Sequence, residues 1–203
     1  MSSLRLMLVR HGQTASNVRG ALDSALPGPP LTEEGLAQAK ALAERLADEP
    51  VNGVYASQAV RAQQTAQPVA EVHRTGLVVV DGVHEVQAGD LEGRTDAAAL
   101  GEFAQVFHRW TRGELHVRMP GAQSGAETRE RFVGGVEGIR SAHEDGLVVL
   151  VSHGGIIRLG TQWLVPDLAA RLADQGLLHN TGHVVLEADG AGWRCLEWSG
   201  LKL

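Results

Sequence analysis

The chain has 203 residues, 43% of them hydrophobic and 21% charged, with a formal net charge of -6. That length and apolar content suit one sizeable core, so a single soluble domain over residues 1–203 is expected; the negative balance argues against generic nucleic-acid or anionic-membrane binding and leaves any anion to a local cationic pocket. The single cysteine, Cys195, cannot form an internal disulfide and reads as a small core residue, and no apolar stretch is long enough for a signal segment or membrane span, which together point to a cytoplasmic protein.

In chain order, residues 4–9 read as a first strand that ends in Arg10-His11-Gly12, and the Pro-rich residues 26–30 read as a loop. Residues 32–47 follow as a helix capped by Thr32, with Glu33 and Glu34 favourable in its first turn. Residues 51–56 form a second strand, and Ser57 is expected to cap a helix through about Ala66, disturbed further on by Pro68. Residues 77–80 form a third strand. Ser124 and Glu127 make a capping box that opens a helix to about Ala142, and residues 147–151 are the clearest buried strand. Residues 154–163 look helical, and residues 183–187 and 193–198, joined through 188–192, form a late hairpin. Strands alternating with helices imply a three-layer α/β/α sandwich around a mostly parallel sheet.

Placing the polar residues on this map gathers them. Arg10 and His11 follow the first strand, Ser57 and Arg61 the second, Glu85 the third, and His153 the 147–151 strand. Ligand crevices of open parallel sheets lie at the carboxyl ends of the strands, so these groups can meet. Two guanidiniums and a protonatable imidazole at His153 describe a phosphate pocket. Within it a neutral His11 can attack phosphorus and form a phosphohistidine, with its other ring nitrogen held by a backbone carbonyl that a tight turn at Gly12 supplies. Glu85 can protonate the leaving oxygen and then take a proton from water. Taken singly, Arg61 is an ordinary solvated helix charge and His153 a satisfied core histidine. Glu92, in Leu91-Glu92-Gly93, competes with Glu85 for the acid role but suits a structural turn better. Ser152 has no Gly-x-Ser-x-Gly elbow around it.

Arg10-His11-Gly12-Gln13-Thr14 with Asn17, Ser57 with Arg61-Ala62 and Thr65-Ala66, Glu85 with Gly89 and Leu91-Glu92-Gly93, and Val151-Ser152-His153-Gly154-Gly155 together resemble the histidine phosphatase superfamily, in its phosphoglycerate-mutase-like branch. The resemblance covers most of the chain. It implies a phosphorylated nucleophile at His11, a phosphoryl clamp of Arg10, Asn17, Arg61 and His153, a proton donor at Glu85, substrate contacts at Gln13 and Gly154, and no metal or other cofactor. It also implies a variable lid over about residues 94–124, where substrate choice resides. His108, Arg112, His116 and Arg118 there, and His84 beside the acid, are candidates to touch substrate, while Phe107 and Trp110 can build an apolar wall or pack as core.

The chain departs from that pattern at Ala59, where a leucine is usual, at residues 18–29, which lack a substrate-touching glutamine-glycine pair, and at Gly121-Ala122-Gln123-Ser124, which lacks a carboxylate. The expected activity is hydrolysis of phosphomonoesters of a small phosphorylated metabolite, without a metal. A cofactor-dependent phosphoglycerate mutase is the alternative, although Val86-Gln87-Ala88-Gly89-Asp90 lacks the tyrosine-containing segment of the mutases. A phospho-ligand-binding protein without turnover is a third reading, opposed by the presence of both His11 and Glu85. The hairpin leaves an edge for pairing into a homodimer.

Overall fold

The computed structural model describes residues 3–168, 176–190, 192–199 and 201–202. A seven-stranded sheet runs in the order β3-β2-β4-β1-β5-β6-β7, built from β1 (Leu4–Arg10), β2 (Val51–Ser57), β3 (Leu77–Val80), β4 (Gly146–Ser152), β5 (His183–Asp189), β6 (Gly192–Trp198) and β7 (Leu201–Lys202). The first four are mutually parallel, and the last three add on antiparallel beside β1. The expected hairpin is the β5–β6 pair; of its linker, Ala191 lies outside the described residues. Its outer edge is partly covered, since β7 pairs with Glu197 and Trp198.

Side-chain alternation along β4 explains the three layers. Leu147, Val149 and Val151 face a cluster with Leu42 and Leu46 of α2 (Glu33–Leu46) and Ala62, Ala66 and Val69 of α3 (Val60–His73). Val148 and Leu150 face the opposite cluster, with Phe132, Val136 and Ile139 of α5 (Gly125–Ser141) and Ile156 and Leu159 of α6 (Gly154–Leu164). A strand apolar on both faces can only be satisfied by helices on both sides, which is why this run lacks the polar alternation of a surface strand. Among the described residues, no helix is long and apolar enough to cross a membrane.

Most expected elements fall within a residue or two of their places. Ser57 is different: it ends β2, and α3 begins at Val60 behind Ala59, which makes no side-chain cap. Pro68 does not break α3, which continues to His73 because its flanking Ala66, Val69 and Ala70 are anchored against the sheet. Two helices were not expected. A five-residue α1 (Ala15–Arg19) starts at a capping box between Thr14 and Asn17, and α4 (Ala97–Thr111) starts at Asp96, whose side chain accepts from the Ala99 N–H.

The contact between α5 and α6 depends on Gly160. A methyl group there would lie 2.1 Å from the Phe132 ring, which is fully buried and has nowhere to retreat. Gly160→Ala is therefore expected to destabilise by about 1–3 kcal/mol through overpacking, despite the better helix propensity of alanine. Urea denaturation checks this: the loss should shrink when Phe132→Leu is already present, and additive losses would show that the two residues do not collide.

Candidate active site

Sheet register assembles the site. β1 and β4 lie side by side with Arg10 opposite Ser152, and the His11 N–H donates to the Ser152 carbonyl at 3.0 Å. On the other side of β4, Ala56 of β2 pairs with Val151, which carries Ser57 alongside His153. The rings of His11 and His153 meet edge to face with centroids 5.1 Å apart. The loop after β3 brings Glu85 to the first turn of α6.

His11 is set by its neighbours. Its Nδ1 lies 2.7 Å from the Gly12 carbonyl, an acceptor only, so Nδ1 carries the proton and Nε2 has a lone pair. Arg61 Nε donates to that Nε2 at 3.2 Å. Burial, followed by the charge of Arg61, pushes the His11 pKa down to about 3, against a smaller opposing effect of the Gly12 hydrogen bond. The ring is therefore neutral at neutral pH. Gly12 does not adopt a left-handed turn. It is needed because a Cβ there would stand 2.7 Å from the Gly35 carbonyl oxygen, where the loop runs against the start of α2. Thr65 fastens the same segment, accepting from the Gly12 N–H and donating to the Arg61 carbonyl.

His153 is fully buried, with Nε2 at 2.7 Å from Ser57 Oγ. Ser57 Oγ also accepts from the Ala59 N–H at 3.3 Å, and a hydroxyl hydrogen given to Nε2 would place the ring proton on Nδ1. Burial, then the neighbouring His11 and Arg61, holds the His153 pKa well below the usual imidazole value. Its Nδ1 is buried without a hydrogen-bond partner and is the ring atom left to meet a ligand.

Arg10 and Arg61 each keep one unpartnered buried nitrogen, Nε and Nη1 respectively. Backbone carbonyls help to place them, with Arg10 Nη1 donating to Leu178 and Arg61 Nη2 donating to Asp23 at 3.1 Å, and Arg61 Nη1, though without a hydrogen bond, lies 3.7 Å from the Asp23 carboxylate. Glu85 accepts three backbone N–H bonds, from Val86 and Ile156 on Oε1 (each 2.8 Å) and from Gly155 on Oε2 (3.1 Å).

These groups form the floor of a pocket of about 300 Å³, within the range of small-molecule sites. Arg10, His11, Asn17, Arg61 and Glu85 line it, as does Gly155 rather than Gly154, and His153 is fully buried. Gly154 packs against Arg10, since a Cβ there would sit 3.2 Å from Arg10 Nε. Asn17 has its Oδ1 engaged by the Thr14 N–H and Asn180 Nδ2, so its amide NH₂ is what it can offer a ligand. Gln13 is not on the pocket: its Oε1 accepts from Thr32 Oγ1 at 2.9 Å, at the start of α2.

The polar residues expected in the lid are also elsewhere. Arg112 pairs with Glu114 and Arg118 with Glu127, both at the surface, and His108 and His116 are exposed. Phe103 and Phe107 line the pocket instead, whereas Trp110 is core, its indole N–H bonded to the Val117 carbonyl. His84 borders a neighbouring depression, its pKa pushed down to about 4 by burial and then by Arg131. Glu92 has the structural role expected of it, accepting from the Ser24 and Ala25 N–H groups and from the Ser24 hydroxyl.

Three residues of consequence escaped the sequence. Asp23 lines the pocket with Oδ1 3.7 Å from Arg61 Nη1 and a buried, unpartnered Oδ2. Asn180 donates to the His11 carbonyl. Arg131 of α5 donates to the carbonyls of Gly82, His84 and Glu85 at 2.6–2.8 Å and so locates the acid loop. Its only sequence signal is a cation on a helix face otherwise buried at Thr128, Phe132 and Val136. Among the described residues, no group of three or more His, Cys, Asp and Glu side chains is arranged to hold a metal ion.

Comparisons with known proteins show what the chain is similar to. PE-PGRS family protein PE_PGRS11 of Mycobacterium tuberculosis is 33% identical over 217 aligned residues, covering 99% of this chain, which spans only 37% of that longer protein. Phosphoserine phosphatase 1 of Hydrogenobacter thermophilus is 31% identical over 150 residues, 74% of this chain and 71% of its own. A mycobacterial glucosyl-3-phosphoglycerate phosphatase, solved in complex with VO3, superposes with a TM-score of 0.82 at 27% identity, covering 98% of this chain and 100% of that one. A family model matches from residue 6 to residue 200, and with it the chain belongs to the histidine phosphatase superfamily, branch 1.

Proposed function

We propose that the chain hydrolyses phosphomonoesters through a phosphohistidine on His11, without a metal. The observation that carries this is the tautomer of His11, whose Nδ1–H is committed to Gly12 while the Nε2 lone pair is held by Arg61 at the pocket floor. When a phosphoryl group enters, Arg61 Nε exchanges that lone pair for a phosphoryl oxygen. Arg10, the Asn17 amide and Nδ1 of His153 complete the clamp.

Nε2 then attacks phosphorus in line, and a P–N bond forms as the ester P–O bond breaks. The leaving oxygen takes a proton from Glu85. Of its two oxygens, Oε2 accepts a single backbone N–H and has room for that proton, whereas Oε1 accepts two. In the second half-reaction the Glu85 carboxylate takes a proton from water, water oxygen bonds to phosphorus, and the P–N bond breaks to release phosphate and restore the Nε2 lone pair. α4 and the turns after it, within residues 94–124, serve as the cover of the site through Phe103 and Phe107. A mutase must retain a bisphosphorylated intermediate, and two lining guanidiniums among the described residues are matched by one phosphoryl dianion, which favours the phosphatase.

With a ³²P-labelled ester quenched in base, the wild type should yield acid-labile labelled protein, unaffected by EDTA, and His11→Ala should yield none. Label retained in His11→Ala would overturn the nucleophile. Glu85→Gln is expected to lower kcat about 10²–10⁴-fold on alkyl esters and far less on p-nitrophenyl phosphate, whose leaving group needs no proton; equal losses on both would remove Glu85 from leaving-group protonation.

A stability dependence follows from the depressed histidines. Between their folded pKa values and the ordinary 6.5, the unfolded chain binds protons at His11 and His153 that the folded chain does not, so stability falls as pH is lowered through about 6.5 towards 3. Each such residue contributes a slope of about 1.4 kcal/mol per pH unit inside that window. In phosphate-free buffer, His11→Asn should show a shallower decline of unfolding free energy than the wild type from pH 6.5 to 5, and parallel curves would contradict a neutral buried His11.

A further inference from the structure

The phosphoryl clamp accounts for the pocket floor but not for its walls. Leu22, Val86, Phe103, Phe107 and Leu177 line the space beyond the clamp, and the rings of Phe103 and Phe107 stack with centroids 6.3 Å apart. Leu177 is 54% exposed at this site, so apolar surface stands in water that a bound group would cover.

The charges say what that group is not. Among the described residues, Arg10 and Arg61 are the pocket's lining guanidiniums, and one phosphoryl dianion occupies both. His11 and His153 are neutral. The two other charged lining residues, Asp23 and Glu85, are carboxylates. Asp23 also touches Arg61 through both its carboxylate and its backbone carbonyl, so part of that cation's field is already spent at the pocket wall. Of the surface arginines, Arg109 and Arg112 are held by Glu114 and Arg118 by Glu127, while Arg19 is exposed outside the lining and donates to Ser16 Oγ. A carboxylate on the substrate's alcohol would find no further cation on the described lining and would face Asp23.

We infer that this site selects phosphomonoesters of uncharged, apolar alcohols, with Phe103 and Phe107 packing against the alcohol and Asp23 rejecting a second anionic group. The inference rests on the phosphatase reading and deepens it. It sets this chain apart from relatives whose names specify phosphoserine or glucosyl-3-phosphoglycerate.

The test compares four alkyl esters, whose leaving groups all need a proton: 2-phenylethyl phosphate and hexyl phosphate against phosphoglycolate and 3-phosphoglycerate, whose alcohols carry a carboxylate and no cation. The expected kcat/KM is about tenfold or more in favour of the first pair. Phe107→Ala and, separately, Phe103→Ala should shrink that preference mainly through KM. Asp23→Asn should shrink it by raising kcat/KM on the charged pair, a gain that simple damage to the fold does not produce. Arg112→Ala and Arg118→Ala should leave the ranking as it is.

Equal or better turnover of the charged esters by the wild type would overturn the inference while leaving the phosphatase reading intact, as would an unchanged ranking in Asp23→Asn and both phenylalanine variants. Failure to hydrolyse any of the four, together with no His11-dependent labelling, would overturn both.

Discussion

The parallel register between β1 and β4 is the constraint on which the site depends. Because Arg10 stands opposite Ser152, the residues that follow each strand, His11 and His153, leave the sheet side by side. The pairing of β2 with the other edge of β4 then supplies Ser57 to orient His153. A slip of one residue in either ladder would send the residue after the strand to the other face of the sheet and part the two rings, so the ladders that build the core also set the histidine pair. Core packing and the geometry of the histidine pair are therefore one problem solved by the same strands.

Bringing two guanidiniums and two imidazoles into one buried place is electrostatically costly unless some of them stay neutral. Here the histidines do. His11 directs its one proton to the Gly12 carbonyl, and His153 has Nε2 engaged by Ser57 and Nδ1 left for a ligand. The permanent charges are left to the arginines, which cannot deprotonate and whose forks suit phosphoryl oxygens. Neutrality thus serves two ends: it leaves a lone pair for attack on phosphorus, and it leaves the whole positive charge of the clamp to be matched by the ligand.

Strands and their order of appearance were legible because their apolar runs are long and unbroken, and so was the convergence of Arg10, His11, Arg61, Glu85 and His153 at the strand ends. Direction of side chains was not. Gln13 and Asn17 lie in one motif, yet Gln13 turns to Thr32 while Asn17 lines the pocket, a difference set by the short α1 that the linear pattern hides. Ser57 looked like a helix cap because serine before a helical run usually is one, but a partner 96 positions away claims its hydroxyl. Arg112 and Arg118 looked like ligands for an anion, and nearby glutamates neutralise both. Asp23, Asn180 and Arg131 act through long-range contacts with no local spacing to announce them.

Glu85 shows how little the acid depends on side-chain partners. Both of its oxygens are held by backbone N–H groups, two of which belong to the opening turn of α6, and its own carbonyl is held by Arg131. Arg131 in turn is buried with its guanidinium directed at the carbonyls of the acid loop and at Gln123, and burial lowers its pKa only to about 10, so it remains a cation there. The acid loop is therefore fastened from α5 on one side and from α6 on the other. Those helices meet through Phe132 and Gly160, one residue and one turn away from the groups that hold Glu85. Close packing between two helices on one face of the sheet is thus mechanically continuous with the position of the Glu85 carboxyl group. Changes that loosen the α5–α6 contact should consequently be felt in proton transfer before they are felt at the two guanidiniums of the clamp, which are carried by β1 and by α3 on the opposite helix layer.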